Sequence, residues 1–174
     1  MSGMLRRIQH GDATLLSLFN NSLNCRVLDI LMPALTFLGS VPFAFLFCII
    51  TVAIPNSSIR EMGIMTSIAL IISTLFVRII KVTVSRIRPF LKVENLNIKL
   101  IGIDEYSFPS GHTTGAFSIA VIVSLCFPQL TLLTILLAFL VGLSRMYFGV
   151  HYPTDIIIGM CIGTITSFIV YIIF

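Results

Sequence analysis

Residues 130–174 read LTLLTILLAFLVGLSRMYFGVHYPTDIIIGMCIGTITSFIVYIIF. Two apolar runs, 130–148 and 154–174, flank a short turn that holds His151 and Pro153, with Arg145 and Asp155 at its edges. A bilayer core of ~30 Å takes about 20 helical residues to cross. Each run is long enough for one crossing, so the stretch predicts two membrane helices joined by a polar turn.

Working outward, residues 62–84 and 110–127 predict two further crossings. Residues 27–54 are apolar but interrupted by Gly39, Ser40 and Pro42. Two antiparallel helices, 27–38 and 41–54, are the favoured reading, and one long kinked helix is the other. Short helices of this kind rely on hydrophobic mismatch or burial in the bundle. Residues 1–22 carry Arg6 and Arg7, then an apolar stretch broken by Asn20 and Asn21, with no small-residue cleavage site. An amphipathic helix lying at the membrane surface is expected there, not a signal peptide. The predicted fold is all-α: a polytopic membrane helix bundle of about six helices at 23–174, preceded by an interfacial amphipathic helix at 1–22.

The composition agrees. Only 10% of residues are charged and 57% are hydrophobic, whereas a soluble domain carries roughly 25% charged residues. So few charges cannot cover a water-facing surface, and the mean hydropathy of +1.06 points to lipid as the main solvent. The net charge of +4 gathers between Arg78 and Lys99, beside apolar segments. That pattern suits a local anion site or lipid headgroups, and argues against nucleic acid as a partner. Cys25, Cys48, Cys126 and Cys161 show no paired spacing and read as free thiols of the bundle, not metal ligands or disulfides. His10 has no partner in any motif and reads as exposed. The one sizeable polar loop, 90–109, holds Lys92, Glu94, Lys99, Asp104 and Glu105.

Counting crossings puts the end of the 62–84 helix, the start of the 110–127 helix and the last turn on one membrane face. Unusual residues cluster at those three points. Lys81 and Arg88 are two helical turns apart, so they share a face, and Pro89 forces Arg88 out of the helical region and ends the helix. Two cations on one face hold a multiply charged anion, or else snorkel to headgroups. Pro109-Ser110-Gly111-His112 opens an apolar helix. Ser110 is a natural N-cap, Gly111 permits close approach of a ligand, and free N–H groups at a helix start favour phosphate. An ordinary cap with an interfacial histidine is the plainer alternative. In the last turn, Asp155 falls in the first helical turn behind Pro153 and can reach back to one ring nitrogen of His151, freeing the other to attack. A capping aspartate beside a bystander histidine is the competing reading. Arg78, Lys81, Ser85 and Arg88 are spaced 3, 4 and 3 apart. This predicts one stripe in which Arg78, roughly 15 Å along the axis from Arg88, points inward. It would either extend the anion site or pair with a buried polar group.

Together the three clusters resemble the signatures of the type 2 phosphatidic acid phosphatase superfamily, which includes bacterial lipid phosphatases. Its pattern is a lysine, six residues and Arg-Pro; then Pro-Ser-Gly-His; then Ser-Arg, five residues, a histidine, three residues and an aspartate. All eleven specified positions are filled here between Lys81 and Asp155. The resemblance implies a phosphatase working through a phosphohistidine. His151 would be the nucleophile, Asp155 its orienting partner and His112 the general acid. Lys81, Arg88 and Arg145, with Ser110 and the Gly111 N–H, would hold the phosphoryl oxygens. No cofactor is expected, and with no carboxylate cluster near the motifs no metal requirement either. The implied partners are a lipid phosphate substrate and membrane lipids. Undecaprenyl diphosphate is slightly preferred, with phosphatidylglycerophosphate, phosphatidate or lipid A phosphate as alternatives. An anion transporter is the reading from a different class. The resemblance also implies a bacterial-type inner membrane, with the site facing outward. In that topology Arg6, Arg7 and Arg60 are inside, as the positive-inside rule prefers, but Lys92 and Lys99 are outside.

Overall fold

The computed structural model describes residues 3–23, 25–99 and 106–174. They form seven α-helices: α1 (Gly3–Ser22), α2 (Arg26–Phe37), α3 (Val41–Ala53), α4 (Ser57–Val84), α5 (Gly111–Cys126), α6 (Thr131–Tyr147) and α7 (Pro153–Ile173). Single 3-10 turns at Pro89–Leu91 and Pro128–Leu130 follow α4 and precede α6. Asp104 and Glu105 of the polar loop lie outside the described residues. The chain is a multi-pass membrane helix bundle. Ser57–Val84, Pro128–Tyr147 and Pro153–Ile173 are each long and apolar enough to cross a bilayer.

The centre of the bundle is α5, packed against α4, α6 and α7. Thr113, Thr114 and every residue from Ala116 to Val123 are buried. A helix buried on all sides is apolar nearly all round, and of the polar exceptions here Thr114 and Ser118 bond carbonyls one turn back. With 16 residues it spans about 24 Å, less than a full hydrocarbon core, and its first turn is sunk among the surrounding helices. Small residues let those helices close in. A Cβ on Gly163 would sit 2.5 Å from the Thr114 carbonyl oxygen, and one on Gly159 would sit 2.8 Å from that of Ser110. Below the first turn the core is apolar: Met62, Met65 and Ala69 of α4 meet Ile119, Ile122 and Val123 of α5 and Val170 of α7. Ser73 and Ser118 share a hydrogen bond at 3.1 Å across α4 and α5.

Residues 27–54 do form two helices, but not an antiparallel pair. The axes of α2 and α3 bend by only 52° at the break, and together the two are long and apolar enough for one bent crossing. Gly39 stands at the break because nothing larger fits: a Cβ there would lie 2.6 Å from Val141 Cγ1 and 2.7 Å from the His112 carbonyl oxygen. Ser40 then caps α3 by accepting from the Phe43 N–H at 3.4 Å. The bend reverses the face assigned to the N-terminus. α1 lies on the same face as the 148–152 turn, with Asp12 and Asn20 bonded there. Arg6 and Arg7 therefore share that face, and among the N-terminal arginines only Arg60, beside the start of α4, lies opposite. α1 is also more than a surface helix, because Leu16, Asp12 and Asn20 are all buried.

Candidate active site

α4 stops at Val84, earlier than the Lys81–Arg88 spacing implied. Ser85 is its C-cap in the left-handed region, at φ 48°. Its exposed hydroxyl donates back to the Val82 carbonyl at 2.8 Å, so Ser85 forms no wall of the site. Arg88 is not on the face of a helix. It lies in an extended segment, at φ −66° and ψ 149°, as a residue before proline should. That segment is held by an antiparallel bridge between Ile87 and Tyr106 and by the Ser107 N–H donating to the Arg86 carbonyl at 2.7 Å.

The extended segment turns the Arg88 side chain inward, where it is 2% exposed. Its Nη1 donates to the Val150 carbonyl at 2.9 Å and lies 3.4 Å from His151 Nε2. Lys81 lies on the buried stripe of α4, four residues past Val77, and donates to the Tyr106 carbonyl at 3.3 Å. Arg145, 3% exposed, ends α6 and donates to Thr36 Oγ1 of α2 at 2.7 Å.

His151 is 2% exposed in the turn between α6 and α7. Gly149, at φ +68°, makes that turn possible. Asp155 Oδ2 lies 3.5 Å from His151 Nδ1, and Nδ1 has no shorter polar partner among the described residues. This contact is long for a hydrogen bond, as such contacts often are in unliganded sites, where they tighten once substrate is bound. Burial pushes the His151 imidazole down to about 4, Arg145 and Arg88 act in the same direction, and Asp155 acts against them. The ring is therefore neutral at ordinary pH, the form in which Nε2 carries a lone pair.

The start of α5 closes the site. Ser110 caps it, its Oγ accepting from the Thr113 hydroxyl at 2.9 Å and from the Thr113 N–H at 3.4 Å. His112 follows in the first turn, where Arg145, His151, Arg88 and Lys81 are the charges that act on it. Lys81 of α4, Arg88 of the extended segment, Ser110, Gly111 and His112 at the start of α5, Arg145 of α6, His151 of the turn and Asp155 of α7 thus converge on one end of the bundle. Arg78 does not join them. It is exposed on α4, with no hydrogen bond or ion pair among the described residues. The buried stripe runs through Ser73 and Val77, and Arg78 is one residue, about 100°, past it.

Several contributors escaped the sequence reading. Arg86 donates to Asp155 Oδ1 at 2.6 Å, Thr154 Oγ1 at 2.7 Å and Asp12 Oδ2 at 2.6 Å. Thr36 holds Arg145 as described above. Lys99 pairs with Asp29 and reaches the Tyr147 hydroxyl at 3.2 Å, which ties the polar loop to α2 and α6. A signal for Arg86 existed: it is a third cation in the run from Lys81 to Arg88. Nothing local marks Thr36 or Asp12. Among the described residues no three His, Cys, Asp or Glu side chains group as they would around a metal ion.

Three buried or half-buried cations, two histidines and a capped helix start thus meet at one end of a membrane helix bundle. The chain belongs to the PAP2 superfamily, whose profile matches residues 62–174. It is 36% identical over 113 residues to the bacitracin transport permease protein BcrC of Bacillus licheniformis, covering 64% of this chain and 55% of that one. It is 34% identical over 111 residues to an undecaprenyl-diphosphatase of Sulfolobus acidocaldarius, covering 63% and 54%. The matched part thus spans about half the length of these relatives. Among solved structures, Aquifex aeolicus LpxE superposes with a TM-score of 0.83 at 30% identity, over 92% of this chain and 94% of that one.

Proposed function

We propose that this protein is a lipid phosphatase that passes a phosphoryl group through His151. The observation that carries the reading is the position of the neutral, buried His151 Nε2, 3.4 Å from Arg88 Nη1 and backed by Asp155. Phosphoryl transfer depends mainly on positioning and charge stabilisation, and Lys81, Arg88, Arg145 and the N–H groups opening α5 supply both. His151 Nε2 attacks phosphorus and forms the P–N bond. The P–O bond to the leaving group breaks, and His112 gives that oxygen its proton. The imidazolium so formed faces Asp155. Water then attacks phosphorus, His112 takes its proton, the P–N bond breaks and phosphate leaves. Each step uses protein groups and water alone, so we propose that activity needs no metal.

A lipid substrate is supported by an open apolar cavity of about 480 Å³ between α1 and the α6–α7 turn. Leu15, Leu18 and Phe19 line it with Met146 and Pro153. Met146 follows Arg145 in the chain, and Pro153 lies between His151 and Asp155. Undecaprenyl diphosphate is the favoured substrate, on the similarity to a protein of that named activity. Phosphatidylglycerophosphate, phosphatidate and lipid A phosphate are the alternatives. An outward-facing site in a bacterial-type inner membrane is carried by the family resemblance alone, because α1 places Arg6 and Arg7 on the site face. An anion path would need charged or polar positions along several helices, whereas Lys81, Arg88, Arg145, His112 and His151 gather at one end.

The test is phosphate release by purified protein from these four lipid classes, with and without EDTA. Release unchanged by EDTA is expected, fastest from undecaprenyl diphosphate. No release from any of the four would contradict the reading, and loss in EDTA restored by Mg²⁺ would contradict the metal-free mechanism.

A further inference from the structure

The eleven positions of the family pattern include neither Arg86 nor any residue of α1, yet Arg86 bonds Asp155 directly and Asp12 of α1 bonds Arg86. The Arg86 guanidinium sits between two carboxylates, 2.6 Å from Asp155 Oδ1 and 2.6 Å from Asp12 Oδ2. Its plane also covers the Tyr152 ring, with Cζ 3.9 Å from the centroid. Asp12 is itself buried and is held from the far side, its Oδ1 accepting from the Thr154 N–H at 3.1 Å and its Oδ2 from the Thr154 hydroxyl. Asp155 is wholly buried. Its Oδ1 is taken by Arg86, and its Oδ2 accepts from the Tyr152 N–H at 2.8 Å and faces His151 Nδ1.

We infer that Arg86 and Asp12 are positioning residues for Asp155, making α1 part of the machinery that orients His151. The inference rests on the reading of His151 as nucleophile. Two features of the arrangement support it. First, geometry: a carboxylate held at Oδ1 by one prong of a guanidinium fork cannot rotate, so Oδ2 keeps its aim at the imidazole. Second, charge: Arg86 and Asp155 alone sum to zero and would give an imidazolium little stabilisation. Asp12 restores a net charge of −1 to the group. A purely structural clamp between α1 and α7 would need no such balance.

The two residues therefore act on His151 with opposite sign. Removing Asp12 withdraws negative charge and makes the imidazole harder to protonate. Removing Arg86 leaves two carboxylates uncompensated and makes it easier. The other charged groups facing His151 are Arg145 on α6, Arg88 on the extended segment and His112 on α5. Neither change alters them.

The experiment compares wild type, Asp12→Asn, Arg86→Gln and Arg86→Lys in detergent micelles, with phosphatidate and farnesyl diphosphate as probes. It reads kcat, KM, thermal stability and the acid limb of kcat/KM. Losses of about tenfold to a hundredfold in kcat are expected, the range for groups that orient a reacting residue through a hydrogen bond, with KM nearly unchanged. The acid limb moves to lower pH in Asp12→Asn and to higher pH in Arg86→Gln, while Arg86→Lys keeps it near the wild-type position. Should Arg86→Gln fail to fold, the displacement in Asp12→Asn against its absence in Arg86→Lys decides. Folded variants that lose only thermal stability, with kcat and the limb unmoved, would overturn the inference and leave the phosphatase reading standing. A wild-type protein that releases no phosphate would overturn both.

Discussion

The Ser110 N–H donates to the Asp155 carbonyl at 3.0 Å, so the start of α5 and the start of α7 are joined by one backbone hydrogen bond. The helix start proposed to hold phosphate and the turn that presents His151 thus share a frame. Gly159, one turn further along α7, lets that bond form.

Gly159→Ala tests the frame. The new Cβ would meet the Ser110 carbonyl oxygen at 2.8 Å and Thr114 Oγ1 at 3.2 Å. The first is backbone and cannot step aside cheaply. A loss of about 1–3 kcal/mol in stability is expected from overpacking of this kind, with a fall in kcat as the two helix starts separate. Thermal unfolding in detergent and steady-state assay measure both. A variant matching wild type in each would show that the two elements are not rigidly coupled.

Arg78→Met is expected to keep kcat/KM within about twofold of wild type, the effect of a surface change remote from the chemistry. Arg78 is exposed on α4, and six residues of helix, about 9 Å, separate it from the helix end, within snorkelling reach of the headgroups. A tenfold loss of activity would return Arg78 to the site.

The pH dependence follows from His151. Its imidazole is pushed by burial from 6.5 to about 4, and in the proposed mechanism the neutral ring is the nucleophile. The acid limb of kcat/KM, which reports the free enzyme, should therefore fall near pH 4, well below the usual histidine range. Stability follows the same group. Between about 6.5 and 4 the unfolded chain binds the proton and the folded one does not, so stability drops as pH falls through that window. An acid limb centred at 6.5 would show that His151 is not buried as described.

Much of this site was legible before the fold. Lys81, Arg88, Ser110, His112, Arg145, His151 and Asp155 come together at one end of the bundle, Arg88 from an extended segment and not from the helical face its spacing to Lys81 implied. What escaped depends on contacts distant in the chain. Thr36 reaches Arg145 across 109 positions and Asp12 reaches Thr154 across 142, and neither leaves a local trace. Ser85 falls outside the site because a 3-4-3 spacing implies one face only while the helix lasts, and α4 ends at Val84; Arg78 falls outside it because it lies one residue past the buried stripe of Ser73 and Val77. The bend at Gly39 was misjudged because glycine and proline mark a break without saying how sharply the chain turns. That error carried the N-terminus to the wrong face.

Orientation in the membrane is open to direct labelling. Asn97 lies on the site face, its N–H bonded to Asn20 Oδ1 at 2.7 Å. With the native cysteines replaced, Asn97→Cys should react with an impermeant maleimide added from outside intact cells. Reaction only from the cytoplasmic side would reverse the proposed topology, and the arginines of α1 would then obey the positive-inside rule.

The most direct measurement is capture of the intermediate. Wild-type protein quenched during turnover of a ³²P-labelled lipid phosphate should carry label that is lost in acid and stable in base, as phosphohistidine is, and that maps to the peptide holding His151. His151→Ala should carry none, with turnover reduced at least about 10³-fold, as when a nucleophile is removed. Label retained in His151→Ala, or turnover by that variant within tenfold of wild type, would contradict the account.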